Sequence, residues 1–464
     1  MLRRLVPLAL ALLVAAPASA AAQCHAFVNV SVLSMEGEEG ILAGQTVVVR
    51  DGRISAMGPA ASVTVPAGVT RIDGTGRFLM PGLAEMHAHV PPQEPADQLL
   101  RDIMFLYVAN GITTIRGMLG APYQLTLRER LQGGDILGPR FYVGAPSLNG
   151  NSAPDPATSA RLMREHHAAG YDLVKIHPGL TRATYDSAVI VGRQLGITMA
   201  GHVPADVGIA HALASRQSTV DHLDGYVEGA VSAEMAARIA HPTDQVHPGE
   251  AWRDASEERL AALAERTRRA GVWVVPTSFL WQNLFAPPDP DEAAARSEMR
   301  YVPGPWVTGW QNQARGRVNV LTQANITAED AEVLFEKRRV ALRLLAEGDN
   351  RVLMGTDSPQ MFNVPGFALH RELKVMRDAG LTPWQILVSG TRNVAEYVRS
   401  DLRQEARFGT VAVGQDADLV LLEANPLESL DNLVHRAGVM VRGRWVSQEE
   451  IGAGLEGIGA RYAR

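Results

Sequence analysis

His87 and His89, inside Gly82-Leu83-Ala84-Glu85-Met86-His87-Ala88-His89, are the residues from which a chemistry can first be read in this chain. On a strand, alternate side chains share a face, so two imidazoles one residue apart project the same way. The run Phe78-Leu79-Met80-Pro81-Gly82-Leu83 ahead of them predicts a buried strand of a parallel sheet. A pair of histidines is not yet a site, and the chain offers further candidates. Lys175, His202, His222 and Asp357 each stand at the end of a short apolar run: DLVKIH, ITMAGH, Ser218 to His222, and RVLMGTD. Neutral imidazole nitrogens and carboxylate oxygens suit zinc and other first-row divalent metals. A protonated lysine would repel them. Buried, however, it loses its proton readily; the amine can then add carbon dioxide and become a carbamate, whose two oxygens can bridge two metals.

Such residues need a frame that brings their strand ends together. The strand beginning near His87 is followed by helical spacing at Leu99, Ile103, Leu106 and Tyr107, closed by Asn110-Gly111. Strands are then expected at Ile112 to Ile115, Phe141 to Ala145, Asp172 to His177, Ile197 to His202, Ser218 to His222, Val272 to Thr277 and Arg351 to Asp357. Eight strand-then-helix units predict an α/β fold, a (β/α)₈ TIM barrel, whose active site lies at the carboxyl ends of the strands. Outside it the texture is all β. TVVVR and RISAM flank Asp51-Gly52, a two-residue hairpin signal, and VAVGQDADLVLL and VMVRGRWV follow near the other end. Neither unit is large enough to bury a core alone, so both chain ends are expected to build one small β-sandwich. The expected division is a signal peptide over 1–20, sandwich over 21–79, barrel over 80–404 and sandwich again over 405–464. The stretch from Ser278 to Asn350 is long for a barrel loop and reads either as a lid or specificity element or as peripheral helical decoration.

Composition fits this picture. With 46% apolar and 20% charged residues in 464, the chain has the makings of a large core. A net charge of −6 gives no basic footprint for nucleic acid, and no lysine-rich run suggests a membrane surface. Arg3 and Arg4 precede an apolar run from Leu5 to Val14 and the small-residue site Ala18-Ser19-Ala20, the pattern of a secretory signal and too short for a membrane span. A periplasmic or secreted protein is therefore expected. Cys24 is the single cysteine, which excludes an internal disulfide; it follows the cleavage site closely, and Ala21-Ala22-Gln23 before it is a poor lipidation signal.

Taken together, Leu79-Met80-Pro81-Gly82-Leu83 through His87-Ala88-His89, Val174-Lys175-Ile176, Gly201-His202, Asp221-His222-Leu223-Asp224-Gly225-Tyr226, Gly355-Thr356-Asp357-Ser358 and GTVAVGQDADLVLL over Gly409 to Leu422 resemble the amidohydrolase superfamily. The likeness is greatest to its imidazolonepropionase-like branch, with its binuclear prolidases and carboxypeptidases, and it covers nearly the whole chain after the signal segment. It implies two divalent metal ions, zinc being the usual choice. His87, His89 and Asp357 would hold the more buried ion and His202 with His222 the more exposed one, with a carbamylated Lys175 and a hydroxide as bridges. Such ions sit roughly 3.5–4 Å apart. Asp357 would also pass the proton from the attacking hydroxide to the leaving nitrogen, and Tyr226 could donate to the oxyanion or simply pack with its hydroxyl satisfied.

The surroundings depart from relatives. Ser147-Leu148-Asn149-Gly150-Asn151 lacks their loop histidine, Ile115-Arg116-Gly117 replaces a Val-Arg-Asp sequence, and Val203-Pro204 follows His202 where others carry another histidine. Candidate substrate contacts are Arg116, Asn149, Asn151, His177 and His370, with Arg140 and Arg371 further choices for a substrate carboxylate. His177 could equally make only a loop hydrogen bond, and His166 and His167 are expected to face solvent. The expected activity is cleavage of an amide bond in a dipeptide or N-acyl amino acid by a metal-bridging hydroxide. A lactonase or phosphotriesterase on the same metal pair, or a binding barrel without catalysis, are the alternatives. The partner is then a small molecule, and self-association is left open.

Overall fold

The computed structural model describes residues 24–463 except 242, 349 and 350. The signal segment expected over 1–20 lies outside the described residues. The fold is mixed α/β, with a sheet made from both ends of the chain beside a parallel α/β region. Strands β1 (His25–Val32), β2 (Leu42–Arg50), β3 (Arg53–Pro59), β4 (Thr70–Asp73) and β5 (Phe78–Pro81) come from the N-terminal side. The parallel region follows with β6 (Leu83–Ala88), β7 (Ile112–Gly117), β8 (Arg140–Val143), β9 (Leu173–Ile176), β10 (Thr198–Gly201), β11 (Thr219–Asp221) and β12 (Trp273–Val275). Strands β13 (Leu419–Leu422), β14 (Arg436–Val441) and β15 (Arg444–Ser447) return to the terminal sheet.

That terminal sheet has eight strands, in the order β15-β14-β13-β5-β1-β2-β3 with β4 also on β1. The β2–β3 turn is the expected hairpin: Asp51 and Gly52 take φ of 52° and 76°, the left-handed pair that a tight right-twisted hairpin requires. The two ends of the chain are joined by β5, which pairs antiparallel with β13 and parallel with β1. Phe27, Val30, Val47, Leu79, Leu419, Leu421 and Met440 bury one shared apolar cluster. Neither end could form it alone.

The run from Phe78 to Leu83 is not one strand. It divides at Gly82, whose N–H donates to Asp418 O while Leu83 N–H donates to Gly111 O, so the chain leaves the terminal sheet and enters the parallel one within a residue. Only glycine fits the crossing. A Cβ there would lie 2.2 Å from Thr113 Oγ1 and 2.4 Å from its Cγ2.

Strands β6-β7-β8 form one parallel sheet and β9 to β12 another. Backbone contacts join them. Ala145 N–H donates to Leu173 O and Asp172 N–H to Val143 O between the regions of β8 and β9. At the other side Leu353 N–H donates to Val274 O, Met86 N–H to Met354 O and Asp357 N–H to His87 O. The 351–357 segment makes isolated bridges, at Val352 and, just beyond it, Ser358, and is not the regular strand expected. Because these elements run parallel, their carboxyl ends share one side. The stretch after β12 is helical throughout most of its length: Ser278–Phe285, Pro290–Ala294, Gly304–Gln323 and Ala328–Ala346. No helix among the described residues is long and apolar enough to cross a membrane.

Gly82→Ala should destabilise the protein by about 1–3 kcal/mol through overpacking, read by denaturant unfolding. Pairing it with Thr113→Ala, which removes the two nearest atoms, should recover part of the loss; equal unfolding of Gly82→Ala and the parent would show that the crossing does not need glycine.

Candidate functional site

At the carboxyl ends of the parallel strands the expected ligands converge. His87 projects from β6 and His89 from just past it; Lys175 lies on β9, His202 and His222 directly follow β10 and β11, and Asp357 sits on the bridging segment. One ligand atom from each of His87, His222 and Asp357 falls within 4.8 Å of the others, all three residues being buried. Four ring contacts run from His89 to His87, to His222, to His202 and on to His177, with centroids 5.3, 4.5, 4.3 and 5.0 Å apart. His89 Nε2 is 2.6 Å from Asp357 Oδ1. Lys175 Nζ, fully buried, lies 3.2 Å from His87 Nε2 and 3.9 Å from Asp221 Oδ2. A Cβ on Gly201, where φ is 122°, would meet Ile176 O at 2.5 Å and Lys175 Cδ at 2.8 Å, so that glycine leaves the lysine its channel.

The imidazoles are held in chosen orientations. His202 Nδ1 is 2.7 Å from Asp224 Oδ2 and His222 Nδ1 is 2.8 Å from Thr277 Oγ1, contacts that fix the ring orientation and leave each Nε2 outside those bonds. His222 Nε2 is buried with no hydrogen-bond partner. A buried, unpartnered ring nitrogen is costly unless something binds it.

The electrostatics point the same way. Burial first, then the Lys175 charge, holds the His87 imidazole well below its usual pKa; burial followed by His202 and His87 does the same to His222. Both rings are then neutral and offer lone pairs. Burial also lowers the Lys175 amine, against the opposing pull of Asp221 and Asp357. For Asp357 burial alone would raise the carboxyl, but His87, His89 and Lys175 overcome it and bring it down to about 2, so it is ionised. Neutral imidazoles, an ionised carboxylate and a deprotonatable lysine make a donor set that fits divalent metal ions.

Several candidates are placed elsewhere. Tyr226 is fully buried with its hydroxyl 2.7 Å from Thr267 Oγ1, on the Glu257–Ala270 helix, which corrects the expectation of an oxyanion donor. Gly225 turns the chain just before it with φ of 76°. Arg116 is fully buried: its Nε donates to Met86 O, one terminal nitrogen to Tyr397 Oη and the other lies 3.4 Å from both oxygens of Asp221. It supports the site from beneath instead of meeting a substrate. Arg140 pairs with Asp416 and Asp418, and Arg371 with Glu298. His370 Nε2 is 3.2 Å from Asn110 Oδ1, at the end of the Asp97–Ala109 helix, and burial with the nearby Arg436 charge pushes its pKa down to about 3. Asn149 Oδ1 accepts from Asn151 N and Ser152 N, a side-chain turn that shapes its own loop, while Asn151 is exposed. His177 does join the site, stacked on His202. His166, expected in solvent, is 8% exposed and meets Tyr171 edge-on.

Two buried carboxylates were not singled out from sequence. Asp221 is 2.8 Å from His87 Nδ1, though out of line for a hydrogen bond, and accepts from Thr219 Oγ1 at 2.6 Å. Glu85 accepts from the backbone of His87 and Thr356, and burial raises its pKa to about 8. The strand period would have found it, since Glu85, His87 and His89 alternate on one face.

A model of the amidohydrolase family matches residues 78–446. Among sequence relatives, adenine deaminase 3 of Rhizobium meliloti is 26% identical over 248 residues, 49% of this chain and 39% of that enzyme. Imidazolonepropionase of Stenotrophomonas maltophilia is 32% identical over 112 residues, 22% of this chain and 28% of that one. The matched segments thus span less than two fifths of these relatives. Among solved structures, a putative prolidase from Bifidobacterium longum superposes with a TM-score of 0.65 at 22% identity, covering 94% of this chain and 99% of the other. Bottromycin amidohydrolase gives 0.68 at 22% identity, covering 95% and 91%. These structural matches establish a shared fold.

Replacing Asp224 by Ala should weaken binding of an added divalent metal ion about 10–100-fold, as loss of an orienting partner does at metal sites, measured by competition with a chelator. Unchanged affinity would show that His202 needs no help from Asp224.

Proposed function

We propose a function for a chain that belongs to the amidohydrolase family: a binuclear metal-dependent hydrolase that cleaves a carbon–nitrogen amide bond in a dipeptide or N-acyl amino acid. The observation that carries it is the convergence of three buried residues, His87, His222 and Asp357, within 4.8 Å, with buried Lys175 beside His87. We read the eight parallel segments as a (β/α)₈ barrel over 80–404, and the terminal strands over 21–79 and 405–464 as its companion sandwich. The 1–20 segment, as a signal peptide, would direct the enzyme to the periplasm or outside the cell.

His87, His89 and Asp357 would hold the deeper ion, His202 and His222 the shallower one, and Lys175 would join them. Divalent ions bound there would supply Lewis acidity toward the substrate carbonyl and an activated water nucleophile. Lys175 is suited to its part because burial favours its neutral amine; that amine gains carbon dioxide and sheds a proton to give an anionic carbamate. Asp357, ionised at neutral pH, takes the proton released as water attacks the carbonyl carbon. It then delivers that proton to the amide nitrogen as the C–N bond breaks. The imidazoles stay oriented throughout, His202 by Asp224 and His222 by Thr277.

Metal-replete protein should carry about two metal ions per chain, with mass spectrometry showing a carbamate on Lys175. A panel of N-acyl amino acids, dipeptides, lactones and phosphotriesters should give turnover on amides, and Asp357→Asn should lower kcat by roughly 10²–10⁴-fold. A chain that holds one ion or none with an unmodified Lys175, or an unimpaired Asp357→Asn enzyme, would sink the scheme.

A further inference from the structure

Beside His89 the structure has a cavity of about 520 Å³, within the range of pockets that take a drug-sized ligand. Its walls come from two sources. Val90 and Pro91 follow the ligand histidines directly, while Trp306, Gly309 and Trp310 belong to the Gly304–Gln323 helix of the long stretch after β12. Apart from His89, no acidic or basic side chain lines it among the described residues. A charged ammonium or carboxylate placed there would lose its water without gaining a partner, which is costly. The arginines that could have met a substrate carboxylate are committed to Asp221, to Asp416 and Asp418, and to Glu298.

The wall is also firm. Trp306 and Trp310 lie with ring centroids 6.1 Å apart, and Trp310 stands edge-on to Phe362 at 6.0 Å. Val307, Trp310 and Ala314 pack with Leu280 and Met361 in one buried cluster. Trp306 remains half-buried on the cavity side of that anchor.

Resting on the reading of the site as an amide hydrolase, we propose that this cavity receives a bulky, uncharged aromatic acyl group adjoining the scissile amide. The enzyme thereby prefers N-acylated substrates carrying such a group over free dipeptides and small N-acetyl compounds. Trp306 supplies an apolar face, and Gly309 keeps the helix surface low: a Cβ there meets nothing within 4 Å.

The test compares N-phenylacetyl and N-acetyl derivatives of one amino acid on the metal-loaded enzyme. The first should exceed the second in kcat/KM by about tenfold or more, as a well-filled apolar pocket provides. Trp306→Ala should lower that ratio about tenfold by removing the wall, and Gly309→Leu should lower it by filling the space. An unchanged ratio in both variants overturns the proposal. Calorimetric binding of the N-phenylacetyl amino acid to the metal-loaded Asp357→Asn protein separates the two readings. If no amide is cut yet the probe binds, and binds more weakly with Gly309→Leu, the pocket stands and the hydrolase reading falls. If amides are cut but neither the ratio nor probe binding responds at 306 or 309, the pocket falls and the hydrolase stands. No cleavage and no probe binding would remove both.

Discussion

The buried charge balance around Asp221 is the interaction on which the site depends. Its carboxylate is sealed from water and meets Arg116, Thr219, His87 and Lys175 at once. A buried ion pair stabilises little by itself, because desolvation offsets most of the attraction unless every remaining group is satisfied. Here the guanidinium also donates to Met86 O on β6 and to Tyr397 Oη on the Arg392–Ser400 helix. One salt bridge therefore ties β6, β7 and β11 to a helix behind them. With Arg116 compensating Asp221, the negative charge of Asp357 is met by titratable groups, His87, His89 and Lys175. That carboxylate charge is the electrostatic demand a bound metal ion would meet.

The same balance explains which parts of the site were legible in the sequence. Residues within strands obey a period of two, so His87 with His89, and the inward position of Lys175, followed from the text alone. Glu85 obeys the same rule, but its burial does not follow from the pattern, because carboxylates rarely sit fully buried. Arg116 was read as a substrate contact since arginine suits carboxylates. Its partner turned out to be internal, two strands sharing a charge across more than a hundred residues, which no local pattern encodes. Tyr226 failed for a different reason. It lies beyond the left-handed turn at Leu223 and Gly225, where strand periodicity has ended and the direction of a side chain depends on loop dihedrals.

For the fold, the Asp51-Gly52 hairpin and the strand-helix rhythm were readable because turn chemistry and apolar periodicity are local. The hand-over at Gly82 was not. An apolar run of six residues looks like one strand, and only the pairing of Gly82 N–H with Asp418 O and of Leu83 N–H with Gly111 O shows that two sheets share it. The 278–350 stretch behaved similarly. Its length marked it as unusual, but the place of Trp306 and Trp310 near His89 follows from how the Gly304–Gln323 helix packs on Leu280, Met361 and Phe362. Tertiary packing decides that.

Backbone strain gives the last link between fold and chemistry. His222, Leu223, Thr277 and Asp357 all take positive φ, at 64°, 54°, 42° and 63°, which for such side chains costs on the order of 1–3 kcal/mol each. Strain of that kind persists only where neighbours over-determine the conformation. Asp357 N–H is held by His87 O and His222 N–H by Val275 O. Buried Arg338 donates to the carbonyls of His222 and Pro276 while lying over the Trp281 ring. Glu372 accepts from Ser278 N and Phe279 N, the open N–H groups of a helix start whose own cap, Thr277, has its hydroxyl turned to His222 instead. Thr277 can serve His222 because Glu372 has taken over the helix end. Two of the strained residues, His222 and Asp357, are thus ones that join the cluster, and the groups that hold their backbone lie around it.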